Sequence, residues 1–394
     1  MLFEIPDDTL AEDHRARLFW RVVETLDLSA FTAGAKAVEG HQGRPLASVH
    51  MLLTLWLYAI SIGVGSARQI ARLTRDDVAF RWIVGDQKIS HDRLSEFRVG
   101  HREALDRLFT DILAALLQHG LLSLDVVAQD GTRVRTSASA PSFRREASLE
   151  QCREQAALHL KAVMAEQDDP EATEAEKRAR LAAALDYQRR VDEALATVRM
   201  LSESGKEEPR ASTTDAEARV MKMSDGGYRP GYNIQMATAG SPLGGPRTIV
   251  AVAVTNLGSD MGSVTPMLDQ IEQRTGLRPA KLLADANHAS HACIRVCAER
   301  GVEALIPVPK RSQQPGPNAD HDDAVTAWRA RMATEEAKTD YRARASLCEL
   351  PNAHLKRHCG VAQILVRGLD KVTCVALLSG MAINLVQNAA RLLA

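Results

Sequence analysis

The chain has no surplus of positive charge. Its 49 Lys and Arg stand against 50 Asp and Glu, for a formal net charge of −1. That balance excludes a globally basic nucleic-acid binder, so any polyanionic partner has to be met by local clusters. An uninterrupted apolar run of membrane-spanning length is also missing. The longest run, around Val372 to Val386, is broken by Thr373, Ser379, Gly380 and Asn384 and reads as a buried helix, with no membrane partner expected. The opening stretch, MLFEIPDDTLAEDH, is acidic and lacks the charged-then-apolar order of a secretory leader. Cys152, Cys293, Cys297, Cys348, Cys359 and Cys374 are therefore expected as reduced thiols in a cytoplasmic setting.

What is present is an ordinary globular mix of 45% hydrophobic and 25% charged residues over 394 positions, enough for two or three domains. Residues 1–120 read as an all-helical N-terminal domain. HMLLTLWLYAISI (His50 to Ile62) is apolar almost all round, as in a core helix. A second helix is expected from about Ala67 to Leu73. Ser90 stands at an N-cap position before a long helical stretch whose Leu105, Leu108, Phe109, Ile112, Leu113 and Leu116 repeat at three and four. Arg68, Arg72, Arg75, Arg93, Arg98 and Arg102 are spread over these helices. They suit either solvated faces or a DNA-docking module of helix-turn-helix type.

From about residue 121 to 394 a second domain is expected. LSLDVVAQDGTRVRTSA reads as strand, turn at Gly131, then a second extended piece. A Glu-, Ala-, Arg- and Lys-rich stretch follows, read as a helical insertion at about 146–210 with one break at Asp168-Asp169-Pro170. GYNIQMATAG alternates apolar and polar residues, and RTIVAVAVTN is continuously apolar, as in a strand covered on both faces. A helix at Val264 to Arg274, a strand stopping at Asp285, a helix at Ala289 to Arg300 and a strand ALIPVP come next. A loop, PKRSQQPGPNADHDD, precedes a mainly helical end. This order predicts an α/β fold, a mixed sheet flanked by helices.

Asp130 and Asp285 both sit where an apolar strand ends, the place at which open α/β sheets hold ligands. Asp-Gly is also a common plain turn. Glu349, in YRARASLCELPNAHLKR, is the third acidic candidate. Three carboxylates can hold two Mg²⁺ ions roughly 4 Å apart, activating one oxygen and stabilising another in a phosphodiester displacement. Glu349 and Lys356 are seven residues apart, on one face if a helix joins them. Pro351 lies between them and suits the first turn of a new helix starting near Leu350, with Glu349 at its start.

Several stretches taken in order carry a specific likeness. They are GRPLASVHMLLTLWLYAISIGVGSARQIARLTRDDVAFRWIVGD with LSEFR, QDGTRVRTSAS with SFRR, TTDAEARVMKMSDGGYRPGYNIQMAT, VTNLGSD, LLADA, and the closing Tyr341, Arg344, Glu349, Lys356 and VRGLDKV. The chain resembles a bacterial insertion-sequence transposase of the DDE class, in the subgroup with a long charged helical segment after the first Asp. The resemblance implies a ribonuclease-H-like core with Asp130, Asp285 and Glu349 as catalytic, metal-binding residues for two Mg²⁺ ions, with Mn²⁺ as a substitute. It implies that Tyr341, Arg344 and Lys356 position DNA phosphates. With Arg133, Arg135, Arg144 and Arg145 they would supply the phosphate contacts that net charge does not. The partners implied are double-stranded DNA, as terminal inverted repeats and target, and further copies of the chain assembled on it.

One departure stands out. The family has Gly-Tyr or a similar pair shortly after the second Asp, where this chain has Asn287 and His288. A catalytically silent DNA-binding descendant and a nuclease without strand transfer are the competing functions. His288, His291, Cys293 and Cys297 lack the spacing of structural zinc ligands, and the two cysteines suit a helix's core face. Asp215 and Asp260 could replace Asp285 but precede expected helices, where Asp is a common N-cap. Glu335 and Glu336 could replace Glu349 but lie in a charged stretch that reads as solvated.

Overall fold

The computed structural model describes residues 9–32, 48–85, 87–166, 172–241, 243–309 and 322–394. The break at Asp168-Asp169-Pro170 and most of the loop after Pro309 lie outside these residues.

Among the described residues six α-helices come first: α1 (Arg15–Glu24), α2 (Val49–Ser61), α3 (Ala67–Asp76), α4 (Val78–Val84), α5 (His91–Gly100) and α6 (Arg102–Gln118). Starts are set by caps: the Ser66, Asp77 and Ser90 side chains accept backbone N–H groups of α3, α4 and α5. Every residue of α2 from Met51 to Ser61 is buried, because α1, α4, α5 and the last helix of the chain pack around it. The six arginines noted on these helices do not share one environment. Arg68, Arg72 and Arg75 are exposed along α3. Arg98 is buried, donating to the Gly65 carbonyl at 2.7 Å and lying 4.7 Å over the Trp56 ring, and Arg102 pairs with Asp370. Arg98 is thus a core strut, neither a solvated face nor a groove reader.

The strands follow: β1 (Val126–Arg135), β2 (Phe143–Arg144), then helices α7 (Glu146–Ala165) and α8 (Glu174–Glu203), then β3 (Ala211–Ser212), β4 (Arg219–Lys222), β5 (Tyr228–Ala239) and β6 (Thr248–Thr255). Next come α9 (Val264–Thr275), β7 (Lys281–Leu283), α10 (His291–Glu299), β8 (Glu303–Leu305), α11 (Asp323–Ala333), α12 (Glu335–Ala353) and α13 (Leu369–Leu392). The main sheet runs β5-β1-β7-β8, with β6 and β4 both on the far side of β5. β5 and β6 are antiparallel to their neighbours, whereas β7 and β8 run parallel to β1. This is the mixed, helix-flanked sheet of a ribonuclease-H-like fold. Helices α7 and α8 pack on each other as an inserted hairpin, and a Thr173–Glu176 capping box starts the second.

The turn expected at Gly131 does not exist. β1 pairs with β5 without a break from Val127↔Ala239 to Arg135↔Gly231, and Gly131 lies inside it opposite Gln235. The ladder satisfies the backbone of this stretch, and an Asp-Gly pair cannot overrule nine consecutive partners. Nor are Asn233 and Gln235 the solvated side of β5, being at most 1% exposed.

α13 reaches 24 residues and is long and apolar enough to cross a membrane, yet 67% of its apolar window is buried inside the molecule. It lies against β6, α2, α5 and α6. Its Asn384 accepts the Ile249 N–H at 2.7 Å and donates to the Ile249 carbonyl at 2.8 Å, and Gln387 does the same for Arg247. Helix side chains thus occupy the outer hydrogen-bonding edge at the start of β6.

Candidate active site

β1 and β7 bring two carboxylates side by side. Their parallel register ends at Ala128↔Leu283, and two residues further on lie Asp130 and Asp285. Asp130 is therefore a mid-strand residue, while Asp285 follows its strand and caps a 3₁₀ turn, Ala286–His288. Helix α12 packs over β1 and β5. Its Arg344 meets Asp130 Oδ1 at 3.1 Å, and the Asn352 amide donates to Asp130 Oδ2 at 3.0 Å. The Gly131 N–H also donates to Oδ1, at 3.0 Å.

Asp285 is held by the two residues that depart from the family pattern. The Asn287 N–H donates to Oδ1 at 3.0 Å and the Asn287 amide to Oδ2 at 3.1 Å. His288 is fully buried, with Nδ1 2.7 Å from Asp285 Oδ1. Both residues thus bond to the carboxylate itself.

The two carboxylates differ electrostatically. Burial pushes the Asp130 carboxyl up, against the lowering by Arg344, and the neighbouring charge of Asp285 adds to the rise. Burial acts the same way on Asp285, but the His288 hydrogen bond and charge, then Arg344 and the Asn287 N–H, hold it at about 2. Tyr341 is raised by burial and feels Arg344, Asp285 and Asp130. Lys356 is lowered by burial and by Arg133, with Asp130 opposing. Tyr341 and Arg344 therefore lie near both Asp side chains, and Lys356 near Asp130.

Glu349 stands apart. It is exposed, and among the described residues its carboxylate has no hydrogen bond or ion pair. Nor does it begin a helix. α12 runs on through a buried Pro351 to Ala353 and then widens into a π-helical turn, His354–His358. Packing of the Pro351 ring inside the molecule, close to the helix end, outweighs its preference for a first turn. The residue aimed inward is Cys348, buried and raised to about 12 by burial, with Asp130 adding. Among the described residues no three His, Cys, Asp or Glu side chains form a group that could hold a metal.

Other candidates resolve into internal contacts. Arg133 donates to the Gly258 carbonyl and to Asp260 Oδ2, both at 2.9 Å. The Arg135 side chain is exposed. Arg144 donates to Ser148, and Arg145 pairs with Glu208. Asp215 and Asp260 are not N-caps. Asp215 is buried and accepts the Tyr232 hydroxyl at 2.8 Å; Asp260 is buried and accepts the Asn233 and Gln235 amides, each at 2.7 Å. Cys293 and Cys297 lie on the buried side of α10.

Residues 202–385 match the family model of the transposase DDE domain, and residues 4–100 match that of a transposase domain, DUF772. The chain belongs to the insertion-sequence DDE transposases. No curated protein and no solved structure matches it. As a member of this family it is a nuclease-type transposition enzyme whose substrate is DNA. The matched spans include Asp285, Tyr341, Arg344, Glu349 and Lys356, while Asp130, Arg133 and Arg135 fall between them. Asn352 was missed in the transposase sequence, although Arg344, Cys348, Asn352 and Lys356 recur at intervals of four. That spacing marks one helix face and was the available signal. Gln235 carried no such signal, since its partners Gln129, Asp260 and His288 are remote in sequence.

Proposed function

We propose that this transposase cuts and joins DNA at the ends of its element, with Asp130, Asp285 and Glu349 as the carboxylates that hold two divalent ions. Support comes first from one observation: Asp130 on β1 and Asp285 just past the end of its parallel neighbour β7 lie beneath a helix whose Arg344 meets Asp130. The donor chemistry fits, since all three are hard oxygen ligands suited to Mg²⁺ or Mn²⁺. Such ions supply Lewis acidity and an activated oxygen for hydrolysis and transesterification. The Glu349 carboxylate is exposed and has no partner among the described residues, so it is open to a cation. Arg344 neutralises Asp130 and, with Tyr341, Lys356 and the exposed Arg135, lines a path for DNA phosphates, whereas Arg133 is committed to Asp260 and Gly258.

Residues 1–120 form the DNA-docking domain in this reading, with Arg68, Arg72 and Arg75 of α3 facing the backbone. Residues 121–394 form the catalytic domain, with the hairpin at about 146–210 as its insertion, and copies of the chain assemble on the paired ends. The test is cleavage of terminal-repeat DNA in Mg²⁺ by wild type and Asp130→Ala, scoring joined products separately from cut ones. Wild type should yield both products and Asp130→Ala neither. Equal activity in the two would refute the assignment, and cutting without joining would make the protein a nuclease. A second reading, a catalytically silent DNA binder, is favoured by the engaged oxygens of Asp130 and the uncontacted Glu349. Binding without cleavage in wild type would establish it.

A further inference from the structure

Behind the two strands that carry the site, the sheet interior is polar. Gln129, Asn233, Gln235, Asp260 and His288 are each at most 3% exposed, in a position where β1 and β5 would ordinarily bury apolar side chains. Such a cluster costs desolvation, offset where its members hydrogen-bond one another, and those bonds rigidify what they touch.

The contacts form a chain. Asp260 is anchored on one oxygen by the Arg133 guanidinium at 2.9 Å and on the other by the Asn233 and Gln235 amides at 2.7 Å. An ionised carboxylate only accepts, so Gln235 has to present its Nε2 to Asp260. Its Oε1 is thereby turned the other way, towards the Gln129 amide at 3.3 Å and His288 Nε2 at 3.5 Å. Gln129 is itself steadied on Ser263 Oγ at 2.9 Å. The opposite edge of the same imidazole meets Asp285 Oδ1 at 2.7 Å. Gly131, next to Asp130, belongs to the arrangement too: a Cβ there would overlap Asp260 Oδ1 and Gln235 Nε2.

We propose that Gln235 and Asp260 are positioning residues of the transposase, bracing the imidazole of His288 so that it fixes the orientation of the Asp285 carboxylate for a divalent ion. This rests on the reading of Asp285 as a metal ligand. The brace gives Asn287-His288 a role: the His ring spans from the carboxylate at the strand end to an amide anchored in the sheet. Partners of this kind, one step behind a ligand, commonly change metal affinity by about tenfold to a hundredfold when removed.

The experiment titrates Mn²⁺ into the full chain without DNA and reads free Mn²⁺ by electron paramagnetic resonance. Wild type is compared with Asp285→Asn, Gln235→Leu and Asp260→Asn. Thermal melts and metal-free binding to duplex DNA are recorded in parallel. Asp285→Asn should abolish a Mn²⁺ site. Gln235→Leu should weaken it by about tenfold, with metal-free DNA binding unchanged, which a merely structural defect would not spare. Asp260→Asn, which keeps the side-chain shape, should shift affinity in the same direction and carries the test if Gln235→Leu does not fold. If Asp285→Asn loses Mn²⁺ while both brace variants bind like wild type, the brace is refuted and the metal-ligand reading stands. Wild-type Mn²⁺ binding by Asp285→Asn would overturn the ligand reading and the brace with it.

Discussion

At the scale of single residues, Gly131 shows why a small side chain can be obligatory inside a strand. Its backbone conformation is ordinary; the requirement is space. The Asp260 Oδ1 and Gln235 Nε2 atoms that a Cβ would meet are hydrogen-bonded to each other, and Asn233 also donates to that Oδ1, so they cannot move aside without breaking buried hydrogen bonds. Gly131→Ala is expected to destabilise the fold by about 2–4 kcal/mol through overpacking and unsatisfied polar groups. Urea unfolding measures this, and a midpoint equal to wild type would mean the network yields freely. The sequence was misleading here, because Asp-Gly has the composition of a turn. Asp285 was better announced, as its strand does stop just before it.

Among the elements, α13 and β6 are the pair on which most depends. An edge strand exposes unpaired N–H and C=O groups, and here Asn384 and Gln387 answer those of Ile249 and Arg247 from a largely apolar helix. Asn384→Leu keeps the volume but strands two buried backbone groups, each costing about 1–3 kcal/mol. Chemical denaturation should show a loss of about 2–5 kcal/mol, and a loss under 1 kcal/mol would place water or another group at that edge. α12 teaches the complementary lesson. Its period-four face was readable, but continuation through Pro351 was not, because burial of the ring is decided by neighbours the local sequence does not name.

For the molecule as a whole, one apolar core runs from α1 and α2 through α6 and the sheet to α13. The N-terminal helices therefore should not melt apart from the catalytic sheet. Scanning calorimetry is expected to give a single cooperative transition, and two resolved transitions would contradict the shared core. Charge is organised on this scale as well. With a net charge of −1, affinity for DNA must come from patches such as Arg68, Arg72 and Arg75, exposed on one face of α3. Replacing all three with Ala should reduce the slope of log K against log salt by about 2–3 if each neutralises a phosphate. An unchanged slope would place the docking surface elsewhere.

By itself the sequence determined the helical start, the insertion after the first Asp, the alternation of strands and helices after it and the identity of the family. These follow from periodicity, caps and the succession of motifs, all of which act over a few neighbouring positions. Only the tertiary structure decided that β1 continues past Asp130 and that Arg98 and Arg133 serve internal contacts. It alone brought Asn352 to Asp130, and His288 between Asp285 and Gln235. Apart from the His288–Asp285 contact, those outcomes depend on partners 33 to 222 residues away, and a hydrogen bond closed over such a distance leaves no period in the chain. The same reason explains Glu349, whose place beside the two Asp residues in sequence motifs is not matched by any contact among the described side chains.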